Sequence, residues 1–364
     1  MSATATHPTA ERLAAVRSAV PEGALALIGD LYDVRWLTGL QSSNALVAVT
    51  ADRAWLVTDF RYRSAAEEAV VDGLELVINA DLLAQAAEFA NEAGVGEVLL
   101  AKDRVTLAED AKLAAALTDG VKRSAVPRLV EPLRQVKSAA EIAAIAAAQA
   151  LADEAFTEVV LEGGLVGRTE REVGLALEFA MRRRGAEAIS FDPIIAADAH
   201  GALPHAHPRD VVIPANELVV VDWGAQLDGY CSDCTRTVAT GEVDGKRREV
   251  HEIVRRAQDV ALEAIKPGAH GKDVDSLSRA LIADAGYGEY FGHGLGHGVG
   301  LEVHETPTLS QRAVSSLVAG NIVTVEPGIY LPGEFGVRVE ELVVVTEGGP
   351  QILTSLPREA AVVG

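Results

Sequence analysis

The chain has 364 residues, more than one ordinary core organises, so two domains are expected. Hydrophobic residues make up 49% and charged residues 23%, the balance of a well-packed globular protein. Lys and Arg number 32 against 53 Asp and Glu, a formal net charge of −21 whose field repels phosphate backbones and anionic membranes, so neither nucleic acid nor a membrane is an expected partner. The opening MSATATHPTAERL has no apolar run and no basic segment, which argues against a signal peptide, and no apolar stretch approaches the roughly 20 residues of a membrane span. Two cysteines, Cys231 and Cys234, are too few for a disulfide scaffold. The expectation is a reduced, cytoplasmic protein.

Residues 1–130 read as a small α/β domain. Glu11–Val20 is a short helical pattern and Ala24–Ile28 an apolar strand. Asn44–Val49 and Ala54–Thr58 are further strands, Asp81–Ala93 is an Ala-rich helix ending near Gly94, and Glu97–Leu100 is strand-like. Nothing in this half clusters catalytic residue types. The boundary falls near Val126-Pro127 to Glu131-Pro132, and a second domain covers 131–364.

The second domain opens with Ser138 and Glu141, a capping-box signature before a long helix that stops at Gly163-Gly164. Thr169 and Glu172 repeat it, and that helix closes on Arg182–Arg184 and Gly185, with basic residues at the negative dipole end and glycine as the cap. Strands are expected at Ile189–Ile195 and Leu218–Asp222. The same order then recurs: helices at Gly245–Ile265 and Lys272–Ala285, strands at Val299–Val303, Ile322–Glu326 and Val337–Val345. The pattern implies an internal duplication of roughly 100 residues per half, two halves facing each other across a cleft.

The chemistry-bearing residue types collect in this domain. In LVVVDWGAQLDGYCSDCTRTV (218–238) an Asp-Gly turn joins two strands as a β-hairpin. A two-residue loop at 227–228 pairs Asp222 with Asp233, and one at 228–229 makes them diagonal neighbours; either way both carboxylates leave the same face. Two aspartates on a solvated face are the ordinary alternative, but like charges side by side repel, and a cation between them removes the conflict. FGHGLGHGVGLEVHE (291–305) carries His293, His297 and His304 amid glycines at 292, 294, 296, 298 and 300. Those glycines argue against a helix and for extended or looped backbone in close approach to something. No register completes a dinucleotide fingerprint or a phosphate loop. Glu326 and Glu340 stand at or near the ends of apolar strands. Acids with one histidine form an oxygen-rich set suited to Mn²⁺, Co²⁺ or Zn²⁺, and four carboxylates balance two divalent cations, as in a two-metal hydrolase.

The series Asp222, Asp233, His297, Glu326 and Glu340, in the wording DWGAQLDGYCSDCTRT, HGLGHGVGLEVHE and TVEPGIYLPGEFGVRVEE, resembles the metal-ligand pattern of the pita-bread metallopeptidases, in particular their Xaa-Pro aminopeptidase and prolidase branch. LTGLQSSNALVAV and LVTDFRYRSAAEEA resemble that branch's N-terminal domain. The resemblance implies an α/β N-terminal domain followed by an α+β pita-bread catalytic domain with pseudo-twofold duplication. It implies a dinuclear exopeptidase that cleaves Xaa-Pro bonds at peptide N-termini and in dipeptides, with Mn²⁺ as the expected metal and Co²⁺ or Zn²⁺ as alternatives. Proline-containing peptides are its expected substrates and a homodimer its expected assembly. By the same likeness Asp222 chelates one ion, His297 and Glu326 the other, and Asp233 and Glu340 bridge. His205 meets the substrate's N-terminal end, His304 donates to the scissile carbonyl, His293 lines the proline pocket, and Glu326 relays a proton. Tyr330 and Arg338 match further positions on the substrate side, although the adjacency of Arg338 to Glu340 favours an ion pair with the metal shell.

The pattern has departures. His200-Gly201 stands where relatives tend to have Asn-Ala or Asn-Gly, and Glu341 replaces an Asp, with no loss of metal expected. Cys231-Ser-Asp-Cys234 has redox CxxC spacing but lies across a strand rather than at a helix start. The rival readings are a creatinase-like C–N hydrolase and a non-catalytic peptide-binding module on the same fold; a full ligand set disfavours both.

Overall fold

Short apolar runs closed by turn residues form the first sheet of the computed structural model, which describes residues 7–364. The described chain divides into two units, one closing at Arg134 and the other spanning Gln135–Gly364. In the first, α1 (Thr9–Ala19) leads to β1 (Ala24–Ile28), α2 (Leu31–Thr38), β2 (Ala45–Val49), β3 (Ala54–Thr58), α3 (Arg63–Ala69), β4 (Glu75–Ile78), α4 (Leu82–Glu92), β5 (Glu97–Ala101), α5 (Leu107–Ala116) and β6 (Lys122–Val126), with a four-residue α6 (Glu131–Arg134) closing it. The six strands form one mixed sheet in the order β4-β3-β2-β1-β5-β6. Its strands β1, β2 and β3 are buried throughout, and Trp55 stacks on Phe89 of α4 at 4.5 Å between ring centroids.

The second unit starts with both expected capping boxes. Ser138 and Glu141 cap α7 (Ala139–Phe156), which continues as one wide turn to Glu162 before Gly163, and Thr169 and Glu172 cap α8 (Glu170–Arg183). Then come β7 (Ala188–Ile189), β8 (Ile194–Ala197), β9 (Leu218–Trp223), β10 (Ala225–Leu227), β11 (Tyr230–Cys231) and β12 (Cys234–Ala239). The second half runs α9 (Gly245–Ala264), α10 (Gly271–Asp284), β13 (Gly296–Gly298), β14 (Glu305–Leu309), β15 (Ile322–Val325), β16 (Gly328–Leu331), β17 (Phe335–Arg338), β18 (Glu341–Thr346) and β19 (Gly349–Ile352).

The duplication is visible in the cores. α7 and α8 pack on the β12-β9-β8 sheet through Phe156, Leu177, Val221 and Trp223, while α9 and α10 pack on β14-β13-β15-β18-β19 through Val254, Ile282, Val323 and Val343. Three expected strands differ in detail. Pairing in the His-Gly segment falls on 296–298 rather than 299–303, because its glycines let two backbones close in: a Cβ on Gly296 would lie 2.0 Å from the Thr324 carbonyl oxygen. The run 337–345 breaks at Val339-Glu340, where β17 turns to pair with β16 and β18 with β15. Residues 189–195 split into β7 and β8, which belong to different sheets.

Candidate metal centre

The hairpin fixes the first two acids. Asp222 lies opposite Thr235, and Leu227 opposite Tyr230, so the turn is Asp228-Gly229, with φ of 50° and 81°. Both residues are left-handed, as a two-residue turn matched to strand twist requires. Asp222 and Asp233 are therefore diagonal neighbours on one face, the second of the two registers the sequence allowed. Glu340 comes from the break between β17 and β18 in the other half, and one carboxylate oxygen each from Asp222, Asp233 and Glu340 lies within 4.8 Å of the others. His297, on β13, sets Nε2 3.6 Å from Asp233 Oδ2 and 3.4 Å from Glu326 Oε1. All five border a cavity of about 430 Å³, together with His205, His293, His304 and Arg338. The rings of His297 and His304 meet edge to face at 4.3 Å.

The electrostatics of this floor are unbalanced. Burial pushes the carboxyl of Asp233 well up, and the negative charges of Glu340, Asp222 and Glu326 push it further. Burial likewise raises Asp222 and Glu340, and moves Glu326 to about 8. Two buried oxygens, Asp222 Oδ1 and Glu340 Oε1, have no hydrogen-bond partner, a costly state for an acceptor inside protein. His297 Nδ1 donates to the Gly298 carbonyl at 3.0 Å, which leaves Nε2 as a lone pair aimed at the acids; burial, then His304, depresses its pKa to about 4. Orphaned carboxylate oxygens beside a neutral imidazole nitrogen are the donor set a divalent cation satisfies.

Arg338 supplies a cation within this set, but to Asp222 rather than to its sequence neighbour Glu340. Its Nη2 lies 2.5 Å from Asp222 Oδ2, Nε donates to Thr235 Oγ1 at 2.9 Å, and Nη1 donates to Tyr330 OH at 2.9 Å and to the Pro204 carbonyl at 3.1 Å. Thr235, fully buried, donates its own hydroxyl hydrogen bond to Glu340 Oε2 at 2.7 Å. Tyr330 is buried and does not border the cavity; its hydroxyl accepts from Arg338 and donates to His293 Nε2 at 2.9 Å, since His293 Nδ1 already donates to Gly294 O. Sequence reasoning missed Thr235, although a residue two positions beyond Asp233 on one strand shares its face. It also missed Phe191, Ile194 and Ser310 on the cavity wall.

Cys231 and Cys234 are both free and buried. Burial raises both thiols, Cys231 to about 11, the opposite of what redox chemistry needs. Glu341 is bound to Arg236 at 2.8 Å rather than to the acid cluster.

The family signature of metallopeptidase family M24 matches residues 143–347, more than half of the chain. The chain belongs to metallopeptidase family M24. The creatinase/prolidase N-terminal domain signature matches 16–136. Among relatives of this M24 chain, a Xaa-Pro dipeptidase of Pyrococcus furiosus is 41% identical over 71% of this chain and 76% of its own length. A solved Xaa-Pro dipeptidase from Bacillus anthracis superposes with a TM-score of 0.93 at 37% identity, covering 98% of this chain and 100% of that one. An X-Pro aminopeptidase from Thermotoga maritima superposes at 0.87 with 36% identity, covering 96% and 99%. The M24 chain is thus a hydrolase of a class that uses divalent metal, on the two-part fold its motifs resemble. No helix among the described residues is long and apolar enough to cross a membrane.

Proposed function

We propose that this M24 chain is a dinuclear-metal exopeptidase that hydrolyses the Xaa-Pro bond at the N-terminus of peptides and in Xaa-Pro dipeptides. The observation that carries the reading is the cavity floor, where Asp222, Asp233, His297, Glu326 and Glu340 converge and two buried carboxylate oxygens stay unpartnered. Those five side chains would hold the ions, Mn²⁺ first and Co²⁺ or Zn²⁺ otherwise. Two divalent cations supply a water of lowered pKa and a polarised scissile carbonyl. The protein does the rest. Glu326, whose Oε1 accepts from the Thr324 hydroxyl at 3.2 Å, takes the water's proton and hands it to the proline nitrogen. His304 donates to the carbonyl oxygen as charge develops there. His205 meets the substrate's amino end, and His293, pinned by Tyr330 and Gly294 O, walls the proline side.

The same walls bear on substrate length. A strict dipeptidase needs a cation for the proline carboxylate, best a forked arginine. Arg338 is the one Arg or Lys among the described residues bordering the cavity, and Asp222, Thr235, Tyr330 and Pro204 already take four of its five N–H donors. Thr308, which borders the cavity, stands where some prolidases carry an arginine four residues past the histidine matching His304. Tripeptides and longer chains should therefore be accepted.

The test is a panel of Xaa-Pro dipeptides and extended Xaa-Pro peptides, assayed after chelation and reloading with Mn²⁺, Co²⁺ or Zn²⁺, with metal counted by elemental analysis. Full activity in metal-free protein sinks the dinuclear reading. A dipeptide preference of two orders of magnitude in kcat/KM, about 2.7 kcal/mol, would reveal a carboxylate clamp and overturn the length assignment.

A further inference from the structure

Away from the metal ligands, one buried acid has more donors aimed at it than a helix start needs. Glu170, the first residue of α8, is fully buried. Its Oε1 accepts from the backbone N–H of Ala197 at 3.1 Å, from His200 Nδ1 at 3.0 Å and from Arg209 Nη2 at 3.0 Å. Its Oε2 accepts from Arg209 N and from Arg209 Nε, both at 3.0 Å. The two backbone donors stand at either end of one segment, 197–209. Between them lie Pro204, His205, Ala206 and His207, all on the cavity wall, and the Pro204 carbonyl that receives Arg338. The segment has little regular structure of its own: a short 3₁₀ stretch at 198–202, then turns. Asp198 is held at φ 52°, and Gly201 touches Gly336 of β17 so closely that a Cβ on Gly336 would lie 1.9 Å from the Gly201 carbonyl oxygen. A loop of this kind keeps a fixed shape only when its ends and its special conformations are held from outside.

We propose that Glu170 is a positioning residue that ties both ends of the 197–209 loop with one carboxylate and so sets His205 against the substrate, with His200 and Arg209 as its partners. The unusual His200 then has a reason: its Nδ1 reaches the buried acid. This assignment rests on the exopeptidase reading for what His205 touches. Charge-assisted bonds to one carboxylate suit the task, because each is roughly twice as strong as a neutral one and they share one rigid centre. Gln in place of Glu170 turns one oxygen into an NH₂ group that faces the donors of His200 and Arg209, and the clamp is lost without a change of volume.

The experiment combines Glu170→Gln with His205→Ala in the full-length, metal-loaded enzyme. Glu170→Gln is expected to lower kcat/KM for an extended Xaa-Pro peptide by about 10–100-fold, as a displacement near 1 Å does, with metal content unchanged. The double variant should be no slower than His205→Ala alone, because one effect acts through the other. Hydrogen exchange should quicken in the amides of 198–208 and not elsewhere in the second unit. Losses that multiply in the double variant, or exchange that rises throughout the unit, would overturn the assignment in favour of a merely structural role. Should Glu170→Gln not fold, Arg209→Met serves, since that side chain is 46% exposed; it should give a smaller loss with the same dependence on His205, and full independence from His205 refutes the proposal. Wild-type enzyme that cleaves no Xaa-Pro peptide would sink the functional reading instead, and the exchange measurement would still decide whether Glu170 holds the loop.

Discussion

Arg338→Met removes the cation that Asp222 leans on, and its cost can be worked from the contacts. The guanidinium makes four bonds: to Asp222 at 2.5 Å, to Thr235 and Tyr330 at 2.9 Å each, and to the Pro204 carbonyl at 3.1 Å. It is 3% exposed, and Asp222 is 8% exposed. Removing one partner of such a pair strands the other charge, which typically costs about 3–5 kcal/mol. Methionine fills much of the volume, so the loss is electrostatic rather than a cavity. Arg338→Lys keeps the charge but loses the planar fork that reaches four acceptors, and should fall between the two. The assay is urea unfolding of chelated protein followed by Trp223 fluorescence, in a background carrying Trp36→Phe and Trp55→Phe, so that Trp223 is the remaining reporter of three tryptophans. A loss below about 1 kcal/mol for Arg338→Met, the value of an exposed pair, would refute the argument that this guanidinium balances the acid cluster.

Asp233→Asn should empty the site and abolish activity while the fold survives, read by elemental analysis and circular dichroism; retained metal refutes the assignment. His304→Ala should cut turnover by roughly 10²–10³-fold with metal content kept, whereas His297→Ala should lose metal, and the reverse outcome would exchange their roles. His251 is buried away from the centre, its Nε2 unpartnered; burial depresses its pKa from 6.5 to about 4, with Glu252, Arg255 and Glu359 as the nearby charges. The folded protein then refuses a proton that the unfolded chain accepts, so stability is lost as pH falls from about 6.5 to about 4, by up to about 3 kcal/mol from this group. His251→Gln should remove that component, and a stability gap between variant and parent that does not change with pH refutes it.

What the sequence disclosed depended on how local the cause was. The Ser138/Glu141 and Thr169/Glu172 boxes are four-residue devices and form as read. The Asp-Gly turn fixed which face the two aspartates share, because parity survives either register. The short helix α2 is not legible in the sequence because eight residues carry little periodicity; Asp30 starts it, accepting from Tyr32 N and Asp33 N, and Gly39 at φ 78° ends it. The edge strand β6, Lys-Arg-Ser-Ala-Val, alternates too weakly to be read. In the site, the ligand types and their order were legible, but the destination of Arg338 was not. Its partner Asp222 is 116 residues away, and no local pattern distinguishes that from the adjacent Glu340. The Glu170 clamp escaped for the same reason, its donors coming from 27 to 39 residues downstream.

The division of the centre between the halves has a consequence for how the second unit is held together. Asp222 and Asp233 belong to the β9–β12 hairpin of the first half, and His297, Glu326 and Glu340 to the second. Neither half alone carries all five of these side chains, so the proposed site forms only when both cores have formed and met. Without cations, their meeting brings the buried carboxyls of Asp222, Asp233 and Glu340 and the half-buried one of Glu326 together with Arg338 as the guanidinium among them, which opposes docking. With cations, the same contact becomes favourable. Binding free energy spent on the docked state alone adds to its stability as the logarithm of metal concentration over the dissociation constant. The apolar cores hold each half, and the charge balance at the seam decides how firmly the halves stay together. Among the direct bonds across that seam, Thr235 to Glu340 and Arg338 to Asp222 are the ones that fix the carboxylates themselves.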